Sequence, residues 1–198
     1  MYSLVTIETV LPPGASICDV RNAQQTRFGS ADYFSDEILM DEEVNAYHEA
    51  GHALMALMVG ARVRYVTLEP EWDDGPDRFA EIRVEWPLDR FTRKQLYEKM
   101  VLVALAGPVA EMIHNEEPLH PGFVAEWAGD WEAAWIATGN FLYSNQKRVV
   151  YLESTTRTIY DLLGQDHHWA ALAAIVDNLI AHETLDGEVV EEIVQAWL

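Results

Sequence analysis

From residue 41 the apolar positions of the chain follow a helical period, with Val44, Ala53, Leu54, Leu57 and Met58 on one face and Gly60 at its end. Asp41 has the short acceptor side chain expected of an N-cap, and Glu42 and Glu43 suit the positive end of a helix dipole. The period then changes. Arg62-Val63-Arg64-Tyr65-Val66-Thr67-Leu68 alternates and is rich in β-formers, and so does Arg78-Phe79-Ala80-Glu81-Ile82-Arg83-Val84-Glu85-Trp86. Pro70 and Asp73-Asp74-Gly75-Pro76 between them signal a turn, so the two runs predict a hairpin or small sheet.

Thr92 is placed to cap a second long helix over residues 93–115, which Pro108 should kink or divide. A third helix is expected from about residue 126 or 130 to 143. Two more follow, broken near Gly164-Gln165-Asp166, and a short one comes after Asp186-Gly187. Residues 1–40 sustain no helical period and are punctuated by Pro12-Pro13-Gly14 and Phe28-Gly29-Ser30. They read as an irregular N-terminal arm holding at most one short strand. The expected architecture is mainly α with a small β-hairpin or sheet (α+β), a helical domain over 41–198 preceded by the arm.

Composition narrows the function classes. The chain of 198 residues is 49% hydrophobic and 23% charged, enough apolar matter for a real core. Thirteen basic residues against 33 acidic ones give a formal charge of −20, which repels phosphate backbones and anionic membrane surfaces and sets nucleic acid and lipid aside as partners. The lone Cys18 can form no internal disulfide, and the apolar run over residues 100–110 is short and broken by Gly107-Pro108. Without a basic, then apolar, leader at its start, the sequence predicts a cytoplasmic protein with no membrane partner.

The candidate chemistry lies on the first helix. His48-Glu49-Ala50-Gly51-His52 fits H-E-x-x-H. Four residues of helix overshoot one turn by only about 40°, so both imidazoles leave the same face and can reach one ion. Glu49 sits one step round the helix, placed as a general base and acid beside the ion. Such a short pattern also arises by chance, and helical His/Glu pairs often lie on a solvated face. Here the surrounding helix is Ala-, Leu- and Met-rich, so three buried polar groups need a partner. Gly51 is unfavourable in a helix interior by about 1 kcal/mol against Ala, which close approach of a neighbouring element would explain. A third protein ligand is required for a catalytic site, and by residue type Glu111, His114, His120, Glu126 and Asp130 all remain candidates. Glu111 and His114, three apart, read best as part of a solvated helix face.

Three other features carry blander readings. His167-His168-Trp169 reads as a surface turn rather than a second metal site. Trp127, Trp131 and Trp135 recur every four residues and read as a core stripe rather than a substrate wall. Glu69, Glu71, Asp73, Asp74 and Asp77 read as a solvated acidic loop.

The segment Val44-Asn45-Ala46-Tyr47-His48-Glu49-Ala50-Gly51-His52-Ala53-Leu54 resembles the zinc-peptidase domain of FtsH-type AAA proteases. The likeness continues in order through Tyr65-Val66-Thr67-Leu68-Glu69-Pro70, Val103-Ala104-Leu105-Ala106-Gly107-Pro108-Val109-Ala110-Glu111, Ala128-Gly129-Asp130-Trp131-Glu132-Ala133-Ala134 and His182-Glu183-Thr184-Leu185-Asp186-Gly187-Glu188, the last a helix-to-helix turn in that family. It spans roughly residues 41–195. Pro108 stands where the family usually has arginine, so any role of that arginine is lost. The resemblance implies an FtsH-peptidase-like zincin fold, a Zn²⁺ cofactor held by His48, His52 and Asp130, Glu49 as the catalytic base, and a polypeptide substrate. No P-loop occurs in these residues, so the expected activity is cleavage of unfolded or flexible chains without a built-in ATPase, working with a separate ATPase or by self-association. The strand over residues 64–68 is then the expected docking edge for substrate. The alternative is a catalytically silent zinc-binding interaction module of the same fold.

Overall fold

The computed structural model describes residues 2–10, 31–69 and 78–198. In chain order these form β1 (Tyr2–Val10), α1 (Ala31–Met58), β2 (Arg62–Thr67), β3 (Arg78–Pro87), α2 (Arg93–His114), a short 3₁₀ turn (Pro121–Phe123), α3 (Ala128–Thr138), α4 (Asn145–Leu163), α5 (Asp166–His182), β4 (Thr184–Asp186) and α6 (Gly187–Gln195). The mainly helical α+β architecture is as the sequence predicts. Pro12-Pro13-Gly14, Cys18, Phe28-Gly29-Ser30 and the acidic turn at Pro70, Glu71, Asp73, Asp74 and Asp77 lie outside the described residues.

α1 begins at Ala31, ten residues before the expected start, so Asp41 lies inside the helix and is not its N-cap. Local cap chemistry misled here, because an aspartate is tolerated inside a helix as well as at its start. The C-terminal end behaves as expected. Gly60 takes φ +85°, its N–H donates to the Leu57 carbonyl at 3.0 Å, and Ala61 N–H donates to Ala56 at 2.9 Å. That pairing is a Schellman closure, which uses glycine's freedom at positive φ to satisfy the last carbonyls. Lys99 reaches over from α2 and donates to the Val59 carbonyl at 2.6 Å.

Thr92 caps α2 as predicted, in a reciprocal box with Gln95: Gln95 N–H donates to the threonine hydroxyl at 3.3 Å, and Thr92 N–H to the glutamine carbonyl at 3.0 Å. Pro108 does not divide the helix, which runs on to His114. The third helix is shorter than expected, and the break at 164–165 is where the sequence puts it.

The strands form one antiparallel sheet in the order β1-β3-β2-β4. Val63 faces Val84 and Val66 faces Ile82, with a register shift between Val63 and Tyr65. That irregularity lets Val63 and Val66, three apart, both turn into the core, where strict alternation would expose one of them. Val66 also pairs with Leu185 of β4, and the Thr67 and Thr184 hydroxyls meet at 2.6 Å. α1 packs on α2, α5 and the sheet, burying Ala46, Ala50, Ala53, Leu54 and Met55.

Two sequence expectations change at β4. The segment at residues 182–188 joins two helices, but through a strand rather than a plain turn. That strand covers the edge of β2: Tyr65, Val66 and Thr67 pair with Asp186, Leu185 and Thr184, and Leu68 N–H donates to Glu183 at 2.8 Å. The β2 edge is therefore already hydrogen-bonded over residues 65–68 and is no docking edge for substrate. A three-residue strand carries too little period for the sequence to announce it.

Candidate metal centre

His48 and His52 lie one helical turn apart near the middle of α1, and Asp130 lies in the first turn of α3, where the helix dipole favours a carboxylate. All three are buried, at 1%, 0% and 2% exposure. The two Nε2 atoms stand 3.0 Å apart. Asp130 brings Oδ2 to 3.1 Å from His48 Nε2 and Oδ1 to 3.3 Å from His52 Nε2. Two nitrogens bound to one tetrahedral zinc at about 2.0–2.1 Å lie roughly 3.3 Å from each other. The donor spacings thus match the edge lengths of a metal coordination face, and the trio lies close enough to hold a metal ion.

Proton positions sharpen the fit. The Val103 carbonyl 2.7 Å from His52 Nδ1 can only accept, so Nδ1 carries the hydrogen and, in the neutral ring, Nε2 carries a lone pair. His48 Nδ1 lies 2.5 Å from Glu111 Oε1, donating to that carboxylate. Both histidines therefore turn lone pairs toward each other and toward Asp130, whose Oδ1 is buried without a hydrogen bond. Three acceptors facing inward repel unless a cation or a proton lies between them. Without metal, the proton takes that part. Burial works against the His48 imidazolium, yet Asp130 and then Glu111 raise its pKa well above the ordinary value. Burial likewise works to raise the Asp130 pKa, and the two imidazoles override it and hold the carboxyl at about 2.

Two glycines make room for this arrangement. A Cβ on Gly51 would lie 2.6 Å from the Ala106 carbonyl oxygen and 2.7 Å from the Ala110 Cβ, so α1 and α2 cross backbone to backbone there. A Cβ on Gly107 would lie 2.8 Å from His48 Nε2. The close approach inferred from Gly51 is real, and its partner is α2. The role of Gly107 was not legible, because nothing along the chain shows that its missing side chain is the space over the imidazoles.

Glu49 is fully buried, one residue on from His48. Of the candidates for third ligand, only Asp130 joins the two histidines. Glu111 and His114 are not on a solvated face as the sequence suggested. The Glu111 side chain is 13% exposed and holds His48 from behind, and the His114 ring stacks on Tyr47 at 4.0 Å. Tyr47 stacks in turn on Trp169 at 5.3 Å. His120 accepts from Gly122 N–H at 3.1 Å and packs on Trp131, while Glu126 is exposed. His168 also departs from expectation. It is buried, not in a surface turn, and its Nδ1 meets the Leu162 carbonyl at 2.8 Å near the end of α4. Trp127 is buried, and Trp131 and Trp135 pack against the core at partial exposure, as a core stripe should.

Among the described residues, no helix is long and apolar enough to cross a membrane. No protein-family model matches the chain, and no curated protein matches it.

Proposed function

We propose that this chain is a zinc metalloendopeptidase of the FtsH-peptidase type that hydrolyses peptide bonds in unfolded or flexible polypeptides without an ATPase of its own. The supporting observation is the His48/His52/Asp130 cluster: three donors at metal-edge spacings, both histidines oriented through Nδ1, and the carboxylate Glu49 adjacent on the same helix. Three protein ligands leave a fourth position for water or substrate, the pattern of catalytic rather than structural zinc. Zinc bound there supplies Lewis acidity that polarises a carbonyl and lowers the pKa of water toward about 7. Glu111 and the Val103 carbonyl hold the hydrogen on Nδ1 of both imidazoles, so in the neutral rings Nε2 carries the lone pair that would bind the ion. Glu49 takes a proton from the attacking water and returns it to the departing amine. Unfolded chains are the suitable substrate because opening a folded one costs about 5–15 kcal/mol, which a peptidase alone does not supply.

One observation favours a second reading, a zinc-bearing interaction module that cuts nothing. The ligands and Glu49 are all 2% exposed or less, as in a closed structural site. Metal analysis tests the site that both readings share, and a cleavage assay decides between them. Metal analysis of purified protein should give about one zinc per chain. Asp130→Ala should lose zinc, whereas Glu126→Ala should keep it, and equal retention in the two would overturn the ligand assignment. The zinc-loaded protein should then digest a permanently unfolded protein, spare a tightly folded one and ignore ATP. Loss on chelation and return with zinc complete the expected pattern. Digestion of the folded protein or a strict need for ATP would refute the proposal, and no cleavage of either substrate would leave the interaction module.

A further inference from the structure

A cavity of about 440 Å³ opens between the end of α2, the 118–121 loop and α4, and none of His48, Glu49, His52, Glu111 or Asp130 lines it. It is a feature apart from the candidate metal centre. Met112, Pro118, Leu119 and Pro121 form an apolar floor, with Thr156 and Tyr160 of α4 opposite. The apolar surface continues onto the rim. Leu119 is 48% exposed, and Phe123, whose ring lies 4.7 Å from that of the lining His120, is 87% exposed. Around this apolar patch the charge is acidic. Glu153 and Asp161 line the cavity one helical turn to either side of Arg157, and Glu116 and Glu117 are exposed just before the loop. The wall that carries the patch is held in place. Glu116 N–H donates to the Ile113 carbonyl at 3.3 Å and Glu117 N–H to Met112 at 3.1 Å, a Schellman closure of α2 with Glu116 at φ +56°. The His120 ring is fixed by Gly122 N–H, which donates to Nδ1, and by Glu153 Oε1 at 3.6 Å from Nε2.

We propose that this groove docks a short basic segment of a partner protein, with large apolar side chains in the cavity and flanking Lys or Arg on the carboxylates. The proposal is independent of the peptidase reading. Covering Leu119 and Phe123 removes apolar surface from water, which supplies the attraction. Glu116, Glu117, Glu153 and Asp161 against Arg157 select the sign of the partner's charge. The same field disfavours a second copy, because two chains of charge −20 repel. The volume lies at the small end of ligand pockets, about 300–1,000 Å³, which suits one or two side chains and not a folded domain. A wall already held by the Schellman closure and the His120 contacts has little freedom left to lose on docking.

The test uses the full chain carrying Glu49→Gln, so that no probe is cut, and reads fluorescence anisotropy of labelled synthetic peptides. The first peptide has two leucines flanked by lysines, the second has alanine for each leucine, and the third has glutamate for each lysine. The alanine peptide should bind about ten-fold or more weakly than the leucine peptide, the scale of burying a large apolar side chain. The glutamate peptide should not bind. Phe123→Ser with Leu119→Ser, both at exposed positions, should bring the leucine peptide to the level of the alanine one. Glu153→Gln with Asp161→Asn should weaken the leucine peptide by about two- to five-fold, and Arg157→Ala should tighten it on the same scale. Glu116→Gly separates binding from folding. It removes a carboxylate while placing glycine at the positive φ, so affinity should fall while Tm rises. Zinc should change none of these affinities. Equal binding of the leucine and alanine peptides overturns the proposal. So does an equal loss in Glu188→Gln with Glu191→Gln, whose side chains line a different cavity, since that marks diffuse charge attraction. A dimer in sedimentation that Phe123→Ser abolishes would give the groove to a second copy and overturn it as well.

Discussion

Gly107 lies against His48 so closely that a Cβ there would come within 2.8 Å of Nε2, and closer still to Nε2 of His52. The glycine hydrogen atoms thus form one wall of the candidate metal centre. Gly107→Ala should improve intrinsic helix propensity by about 1 kcal/mol. It should also displace the imidazoles and lower zinc affinity by about ten-fold or more, the scale seen when groups that orient ligands are lost. A competition titration against a chromophoric chelator, with circular dichroism to verify the helix content, measures both. Unchanged affinity in a folded variant would remove Gly107 from the site.

Glu111 holds the ring of His48 through Nδ1 at 2.5 Å. Glu111→Gln keeps an acceptor but removes the charge, and Glu111→Ala removes both. Zinc affinity should fall in that order, by about 10–100-fold for the alanine. If the alanine variant binds zinc as tightly as the parent, the hydrogen bond has no orienting role.

Glu49→Gln leaves both imidazoles and Asp130 in place. The expected outcome is full zinc occupancy with turnover reduced by about 10²–10⁴, the range of general-base contributions. Near-normal peptide cleavage by this variant would show that another group moves the proton.

His48 and Asp130 set opposite pH limits on the metal-free protein. The His48 pKa is raised on folding, so its stabilisation is complete below about 6.5, the unfolded imidazole value, and is lost as pH rises through the folded value. The Asp130 pKa is lowered from 3.8 to about 2, so its stabilisation is present above 3.8 and lost as pH falls toward 2. Zinc replaces the proton and competes with it, so its stabilising effect should grow with rising pH. Melting curves across the range from weak acid to weak base should show Tm falling with pH in chelator, and the gain from zinc widening. Parallel profiles with and without zinc would contradict the shared proton/metal site.

The sequence by itself determined what local spacing controls. His48 and His52 share a face because four residues nearly close a helical turn, and a Thr92/Gln95 box or a Gly60 at positive φ fixes an end whatever the rest of the chain does. It also showed that something must approach α1 at Gly51. Tertiary structure decided the rest, because those relationships join residues far apart along the chain. Among the acidic and histidine candidates, residue type could not distinguish Asp130 at the metal face from Glu111 behind His48. The placement of α3 and α2 around α1 puts Asp130 against both Nε2 atoms and Glu111 behind the His48 ring. The same holds for β4, three residues whose strand character comes from pairing with β2 and which thereby close an edge that looked open. Periodicity reports which way a side chain points from its own helix or strand. What it meets there is set by the packing of elements that the pattern describes one at a time.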